Sequence, residues 1–230
     1  MTASWTETRN CLLESQEAER QRLAQVLHDG PLQELHSLDF GLVALARHLE
    51  DQTARDQWNA MRVTLHAVSR QLRYLCQDLR PPALGPFGLT AVLQSYAENF
   101  QRRHPTIQLD LDLAEDGQRL PQPVRLACYR ICQQGLRNIA QHATATRVQI
   151  SLRLEADEVV LTIEDNGAGF VAPDTWPATW PESTIEWAND GRFGLFECGQ
   201  RAAAIDGQLT VEARPGHGVR LQLTAPIHTA

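Results

Sequence analysis

The chain has 230 residues and a formal net charge of −7, enough length for one large domain or two small ones with cores of their own. The negative charge argues against direct nucleic-acid binding, because phosphate backbones attract basic surfaces. No apolar run approaches the roughly 18 residues that a membrane span requires, and the N-terminal MTASWTETRN lacks the parts of a secretion signal. The five cysteines include no Cys-x-x-Cys pair, and Cys128 and Cys132 have apolar neighbours typical of buried thiols. We therefore expect a cytoplasmic protein without a membrane span.

The first eighty residues have the spacing of long amphipathic helices. Leucines recur every three or four residues from Leu35 to Leu49, and a second apolar stripe runs from Trp58 to Leu79 over three heptads. The polar stretch DQTARDQ between them predicts a turn and therefore an antiparallel helical hairpin. Two helices with one narrow seam bury little surface, so we expect a homodimer in which two hairpins form a four-helix bundle. The alternative is a hairpin that packs on the rest of its own chain.

The spacing changes from helical to alternating after Arg80-Pro81-Pro82, where two prolines predict the end of the second long helix. Three further helices are predicted, at 89–100, 123–142 and 195–205. Five strands are predicted from alternating or continuous apolar residues, at 107–113, 148–154, 159–165, 209–213 and 219–225. This order predicts an α+β sandwich, a mostly antiparallel sheet covered on one face by helices. The expected domains are residues 1–82 and 83–230.

One polar site lies in the first long helix, within ERQRLAQVLHDGPLQ at residues 19–33. His28 is followed directly by Asp29, and two residues later comes Pro31, which a regular helix would avoid. Proline lacks the N–H that would bond to Leu27, so we expect a bend beside the histidine, with a chance kink as the alternative. Without the adjacent acid and the second half of the chain, His28 would be better explained as a polar residue on a solvated helix.

Three motifs in the second half suggest a ligand site. DNGAGF at 165–170 follows a predicted strand, and its glycines permit a sharp turn close to a ligand. GRFGLF at 191–196 opens a predicted helix, whose free N–H groups attract anions. The helix YRICQQGLRNIAQHA has a polar stripe at a spacing of four residues: Gln134, Asn138 and His142. Each motif alone has an ordinary explanation in turns or solvated helix faces, but their combination favours a binding site.

In this order the motifs resemble the N, G1 and G2 boxes of the GHKL class of ATP-binding domains, which adopt the Bergerat α/β sandwich. The first half resembles the dimerisation and phosphoacceptor domain of sensor histidine kinases paired with LuxR-type response regulators, a group that includes nitrate and nitrite sensors. The resemblance runs from about Glu14 to Pro226. It rests on the segment around His28, DLRPPAL, YRICQQGLRN, DNGAGF and the region from GLFECGQ to the last strand.

The resemblance implies a role for each site residue. His28 would be the phosphoacceptor, Asp29 would orient its ring and share its proton, and Gln33 would position water for phosphoaspartate hydrolysis on a bound response regulator. ATP and Mg²⁺ are the implied ligands, with Asp165 reading the adenine amino group and Asn138 helping to hold the metal. The remaining nucleotide contacts are implied at Gly167, Gly169, Gly194, Gly218, His142 and Leu195.

The chain departs from the family pattern at two places that matter for catalysis. The family's N box normally reads Gln-Glu-Ala-Leu-x-Asn, and here residues 133–138 read Gln-Gln-Gly-Leu-Arg-Asn. Gln134 therefore lacks the expected carboxylate, and an amide neither accepts a proton nor brings charge to Mg²⁺. Gln141 stands where a lysine is frequent, which removes a positive charge near the phosphates.

Three functions follow, in order of preference. The first is an ATP-dependent protein-histidine kinase that phosphorylates His28 and passes the phosphoryl group to a response-regulator receiver domain, with its signal from a separate sensor protein or an N-terminal region. The second is a kinase-weak or non-catalytic nucleotide-binding module that acts as a phosphatase or adaptor, motivated by Gln134 and Gln141. The third is an ATP-hydrolysing clamp of the gyrase or chaperone type, which leaves His28 and Asp29 unexplained.

The loop between Phe170 and Gly194 stands where the family has its ATP lid. Its tryptophans, Trp176, Trp180 and Trp187, are expected either to cover the nucleotide or to dock on the helical bundle. A local aromatic cluster that holds the loop together is an equal alternative.

Overall fold

A computed structural model describes residues 2–80, 84–117, 119–171 and 193–227. The chain divides into two compact units, one of residues 11–82 and the other of residues 1–10 together with 83–230. In the described part of the chain no helix is both long and apolar enough to cross a lipid bilayer. The tryptophan-containing segment of the predicted lid lies outside the described residues.

The N-terminal region is helical, as the sequence predicts. Helix α1 spans Thr2–Leu27, α2 spans Gln33–Leu45, and α3 spans Gln52–Leu79; a π-helical turn, His28–Leu32, joins the first two. Asp51 caps α3, because its Oδ2 accepts the N–H of Ala54 at 2.9 Å. At the other end, Arg80 is extended (φ −103°, ψ 117°), the conformation that a following proline imposes.

Side-chain contacts between α2 and α3 run in opposite directions along the two helices, which confirms the antiparallel hairpin. Trp58 Nε1 donates to the carbonyl of Leu42 at 2.8 Å. Further along, Asp39 Oδ1 accepts from Arg62 Nε and from His66 Nε2, each at 3.0 Å. The pairing thus joins later residues of α3 to earlier residues of α2.

The hairpin divides its apolar stripe into two sets with different exposure. The inner set repeats every seven residues and is partly buried between the two helices: Leu35, Leu42 and Leu49 on one side, and Trp58, Leu65, Leu72 and Leu79 on the other. The outer set also repeats every seven residues but is between 44% and 58% exposed: Leu38 and Leu45, with Met61, Val68 and Leu75. A single chain therefore covers only the inner set of the apolar residues that the sequence places along the two helices, and the outer set stays exposed.

The second unit is built on a five-stranded sheet in the order β1-β2-β3-β5-β4. The strands are β1 Gln108–Leu113, β2 Arg147–Leu154, β3 Glu158–Asp165, β4 Gln208–Ala213 and β5 Val219–Pro226. The β1–β2 pair is parallel and the other three pairs are antiparallel, as the alternating sequence predicts. Inward-facing residues such as Ile150, Leu161 and Leu223 are almost completely buried.

Helices cover the apolar face of this sheet, so the predicted α+β sandwich is confirmed. They are α4 Leu84–Arg103, α5 Gln122–Asn138 with a π-helical extension Ile139–Ala143, and α6 Phe193–Ala203. On α5, Cys128 and Cys132 are fully buried, and burial raises the pKa of each thiol to about 12. They are inert core residues, as their apolar neighbours predict.

Helix α4 starts earlier than the predicted residue 89, but it is interrupted at Gly88 (φ 73°, ψ 172°). The carboxylate of buried Asp116 accepts the N–H of Leu89 at 3.0 Å and so caps the regular part of the helix. A Cβ at position 88 would lie 2.5 Å from Asp116 Oδ1. The glycine is therefore required both by its left-handed backbone and by the nearby cap.

Candidate functional site

A cavity of about 350 Å³ opens in the second unit between α5, α6 and the sheet, within the size range of small-molecule sites. Six residues predicted from the sequence line it: Asn138, His142, Asp165, Gly169, Gly194 and Leu195. The other lining residues were not singled out by the sequence: Gly135, Ile139, Ala143, Ile163, Phe170, Val219 and Leu221. Most of these are apolar, and in the sequence they follow the same pattern as core residues.

Asp165 contributes a carboxylate to the lining of this cavity. It ends β3 and is only 6% exposed. Its Oδ1 accepts the N–H of Gly167 at 2.7 Å, and the N–H of Val219 also donates to the carboxylate. Burial raises the pKa of Asp165, while the two backbone hydrogen bonds partly oppose that rise. A buried acceptor in a mostly apolar cavity is suited to bind a ligand through an amino group.

The loop after Asp165 is fixed by contacts between main chains. The N–H of Ala168 donates to the carbonyl of Ala143 at 2.7 Å, and the N–H of Gly216 donates to the carbonyl of Ala168 at 2.6 Å. A Cβ at Gly167 would lie 2.3 Å from the Ala143 carbonyl oxygen. Glycine at position 167 therefore lets this loop pack against the end of the α5 extension, and it does not itself line the cavity.

Gly169 and Gly218 bring the turn between β4 and β5 against the same loop. Gly169 has φ +58°, and a Cβ there would lie 2.1 Å from the carbonyl oxygen of Arg214. Gly218 has φ +78°, and a Cβ there would lie 1.8 Å from the carbonyl oxygen of Asp165. Of the four glycines that the resemblance implies, Gly169 and Gly194 line the cavity, whereas Gly167 and Gly218 support its wall.

Asn166 is a structural residue that the sequence reasoning missed. Its Oδ1 accepts the N–H groups of Thr146 and Arg147, each at 2.9 Å, and its Nδ2 donates to Thr146 Oγ1 at 2.9 Å. These bonds tie the loop after β3 to the start of β2. Asn166 therefore fixes the main chain on which Asp165 is presented.

Gln134 does not line the cavity but contacts a residue that does. Its Nε2 donates to Asn138 Oδ1 at 2.8 Å, and a Cβ at Gly194 would lie 2.2 Å from the same nitrogen. The Gln134 amide thus fills the space that Gly194 leaves at the start of α6. Among the described residues no group of three or more His, Cys, Asp or Glu side chains is arranged to hold a metal.

In the first unit, His28 is the start of the π-helical turn, and its side chain is 62% exposed. Its Nδ1 lies 3.0 Å from Asp29 Oδ1, and Asp29 Oδ2 also accepts from Gln25 Nε2. The hydrogen bonds from His28 and Gln25 lower the pKa of Asp29. An ionised Asp29 can only accept, so it selects the ring tautomer with its proton on Nδ1 and an unprotonated Nε2.

The helix passes Pro31 without ending. Because Pro31 has no N–H, the segment His28–Leu32 forms a π-helical turn with wider hydrogen bonding, and the N–H of Gln33 then donates to the carbonyl of Gly30. Gln33 begins α2 with its side chain exposed. The structure therefore shows Pro31 inside a π-helical turn, directly after the histidine and its acid.

Models of known protein families match both the N-terminal helical region and the region that contains the sheet. Residues 19–84 match the family model described as histidine kinase. Residues 124–229 match the model described as histidine kinase-, DNA gyrase B- and HSP90-like ATPase.

Two curated relatives align with nearly the whole chain. The signal transduction histidine-protein kinase/phosphatase DegS of Brevibacillus brevis is 27% identical over 221 residues, which are 95% of this chain and 54% of that protein. The oxygen sensor histidine kinase NreB of Staphylococcus carnosus is 27% identical over 215 residues, which are 94% of this chain and 58% of that protein. The chain thus spans little more than half the length of these relatives.

A solved structure shows the same fold. The histidine kinase domain of the blue-light activated histidine kinase from Erythrobacter litoralis EL346 superposes with a TM-score of 0.50 at 18% identity, covering 85% of this chain and 94% of that one. The chain thus contains a region that matches the histidine kinase model, followed by a region that matches the histidine kinase-, DNA gyrase B- and HSP90-like ATPase model, in this order and over most of the described residues.

Proposed function

We propose that this protein is an ATP-dependent histidine kinase of a two-component system. The observation that carries the proposal is the exposed His28, whose Nδ1 is held by Asp29 at 3.0 Å, so that Nε2 is available as a nucleophile. The cavity around the buried Asp165 supports a nucleotide as the phosphoryl donor. His28 lies in the region that matches the histidine kinase model, and the cavity lies in the region that matches the ATPase model.

The proposed reaction needs no covalent group from the nucleotide-binding domain. Nε2 of His28 attacks the γ-phosphorus of ATP, the N–P bond forms, and the bond from phosphorus to the bridging oxygen breaks to release ADP. Asp29 holds the Nδ1 proton and stabilises the positive charge that develops on the ring. The phosphoryl group then passes to an aspartate of a receiver domain. Positioning and charge neutralisation supply the rate enhancement.

The nucleotide would bind with its adenine in the apolar part of the cavity. Asp165 would accept a hydrogen bond from the exocyclic amino group, while Ile139, Ile163 and Leu221 would contact the faces and edge of the ring. His142 and Leu195 line the same cavity and are assigned to nucleotide contacts. The free N–H groups at the start of α6, next to Gly194, suit a phosphate.

Mg²⁺ is proposed to accompany the phosphates, where it neutralises charge. On this chain Asn138 is its proposed ligand, through the lone pair of Oδ1 that Gln134 does not use. Magnesium sites in proteins usually combine one or two carboxylates with substrate phosphates. Here Gln134 and Asn138 are both neutral, so they fit the metal weakly and the phosphates would supply most of its ligands.

The hairpin supports a homodimer. The outer apolar set defined above stays about half exposed in one chain. Complete burial of an exposed side chain of this size is favourable by roughly 1.5–3 kcal/mol, so covering the exposed half would still contribute about half of that for each residue. A second hairpin would cover this set and complete a four-helix bundle. We assign the dimer to this surface.

The proposed partner is a response regulator with a receiver domain, of the LuxR type on the basis of the resemblance. Gln33 is proposed to position water for hydrolysis of its phosphoaspartate, because an exposed amide near His28 can orient water without protonating it. A cytoplasmic location and a signal received from a separate sensor protein or an N-terminal region complete the proposal.

A second candidate is a phosphatase or adaptor with weak kinase activity. The specific observation is the bond from Gln134 Nε2 to Asn138 Oδ1, in a site without a carboxylate at position 134. An amide there cannot act as a general base. The relative from Brevibacillus brevis is named both a kinase and a phosphatase, so the two activities are compatible within the family.

Autophosphorylation with labelled ATP and Mg²⁺ tests the first proposal. We expect acid-labile, base-stable label on the protein and none on His28→Ala. His48→Ala is the control, since His48 is also exposed and lies outside the π-helical turn; this variant should label normally. Label that persists in His28→Ala would refute the assignment of the acceptor.

A further inference from the structure

Gly135 is a glycine that the protein's own packing does not require. It is buried in α5, a helix that continues as a π-helical turn to Ala143, and it lines the cavity. A Cβ added there would lie 3.5 Å from the nearest atoms of Ile163 and 3.6 Å from Leu221, which is ordinary van der Waals contact. Alanine would therefore fit, and it would favour the helix over glycine.

The other two described glycines that line the cavity behave differently. A Cβ at Gly169 would lie 2.1 Å from a main-chain oxygen, and one at Gly194 would lie 2.2 Å from Gln134 Nε2. Packing therefore explains both of these glycines. At Gly135 the same test finds room for a methyl group, and the family pattern given above has alanine at this position. The space beside Gly135 is thus left open on the side of the ligand cavity.

The open space lies beside β3, the strand that ends at Asp165. Ile163 precedes Asp165 by two residues on β3, so the two side chains are on the same face of the sheet. Leu221 is the cross-strand partner of Ile163 on β5. Gly135 faces these two apolar side chains, so the space is apolar on two sides, and it opens into the cavity that also contains the carboxylate that we assign to the adenine amino group.

We propose that Gly135 determines base specificity by allowing the site to bind adenine nucleotides that carry a methyl-sized apolar group on the exocyclic amino nitrogen. A monosubstituted amino group keeps one N–H, which donates to Asp165, while the methyl group enters the space beside Gly135. This inference rests on the proposed nucleotide function and goes beyond it by naming a ligand class. Alanine at position 135 would close the space and exclude the methyl group while leaving unsubstituted adenine its contacts.

Calorimetric titration with ADP and with N⁶-methyl-ADP tests the inference on the unmodified chain and on Gly135→Ala. The unmodified protein should bind the two nucleotides within about threefold of each other. Relative to the parent, Gly135→Ala should weaken binding of N⁶-methyl-ADP by at least about tenfold more than binding of ADP, because overpacking a filled site is unfavourable. Its melting temperature should equal or exceed that of the parent, which shows that the variant is folded.

Gly41→Ala is the matched control, because Gly41 lies in α2 with no atom within 4 Å of its added Cβ. It should leave both affinities unchanged. Rejection of N⁶-methyl-ADP by the unmodified protein, or the same ratio of affinities in the parent and in Gly135→Ala, would overturn the inference. If neither protein binds ADP, the nucleotide proposal itself fails, and that result is distinct from selective rejection of the methylated ligand.

Discussion

Gln134 donates a hydrogen bond from its side-chain amide to Asn138 Oδ1 at 2.8 Å. The donor nitrogen also occupies the space beside Gly194, so one amide contacts both α5 and the start of α6. This bond determines which way Asn138 presents its own amide: Oδ1 is turned to Gln134, and in the described part of the chain Nδ2 donates to no protein atom. A residue outside the cavity lining thus controls a residue within it.

Gln134→Glu should raise the rate of autophosphorylation. A carboxylate accepts hydrogen bonds only, so Asn138 would rotate to donate through Nδ2, and both lone pairs of its Oδ1, instead of one, would be available to a metal. The new carboxylate would also bring a negative charge toward Mg²⁺, whose sites in proteins usually include one or two carboxylates. We expect an increase of at least about tenfold in the initial rate of His28 labelling at saturating ATP and Mg²⁺.

Gln122→Glu provides the control for charge alone, because Gln122 is exposed at the start of the same helix. This variant should label at the parental rate. Equal rates in Gln134→Glu and the parent would show that the missing carboxylate does not limit the kinase.

Leu38→Arg should convert the dimer to a monomer. Leu38 belongs to the outer apolar set and is 58% exposed in the single chain, so a charge there leaves the hairpin intact but opposes burial in a bundle. Light scattering coupled to size-exclusion chromatography would measure the mass. Val63→Arg is the control, because Val63 is 68% exposed and lies off the seven-residue repeat. A dimer in both variants would place the interface elsewhere.

The strands were predictable because alternation is a local property. Each predicted strand agrees with the observed one within one or two residues, since buried side chains such as Val148, Ile150 and Leu152 must alternate on a half-covered sheet. Helix α5 was predictable for the same reason, through its apolar face. The family resemblance then followed from motifs on these elements.

Contacts between residues distant in sequence were not predictable. Asp116 caps α4 at Leu89, 27 residues earlier, and Asn166 binds the main chain at Thr146, 20 residues earlier. Nothing in the local spacing of either residue identifies its partner. The apolar cavity lining was missed for a related reason, because Ile163 and Leu221 follow the same alternation as fully enclosed core residues.

Asp165→Asn should weaken ADP binding by at least about tenfold, because an amide offers one acceptor oxygen where the carboxylate serves two backbone N–H groups and the ligand. In the parent, ADP affinity should fall on acidification as Asp165 takes up a proton. This loss should begin at a higher pH than for an ordinary aspartate, because burial raises the pKa of Asp165. In Asp165→Asn that part of the pH dependence should be absent.

The ionisation of Asp165 affects the folding stability of the protein in the direction opposite to its effect on ADP affinity. The raised pKa of Asp165 means that the folded state binds its proton more tightly than the unfolded state does. Asp165 therefore makes its whole contribution to the free energy of unfolding at pH values below its pKa in the unfolded chain. This contribution is lost as the pH rises through its pKa in the folded protein. Glu158→Gln is the control for both measurements, since Glu158 is exposed at the opposite end of β3. An unaltered pH profile of ADP binding in Asp165→Asn would contradict the assigned role.

Gly218→Ala should destabilise the protein more than Gly216→Ala, although the two glycines have nearly the same backbone conformation (φ +78° and +76°). A left-handed residue with a Cβ costs roughly 1–2 kcal/mol at either position. Only Gly218 faces an obstacle, because its Cβ would lie 1.8 Å from the Asp165 carbonyl oxygen, whereas nothing lies within 4 Å at Gly216. Overpacking typically adds about 1–3 kcal/mol. Urea unfolding should therefore separate the two variants by at least about 1 kcal/mol, with ADP affinity reduced in Gly218→Ala alone because Asp165 must move. Equal destabilisation would mean that the turn before β5 yields without disturbing Asp165.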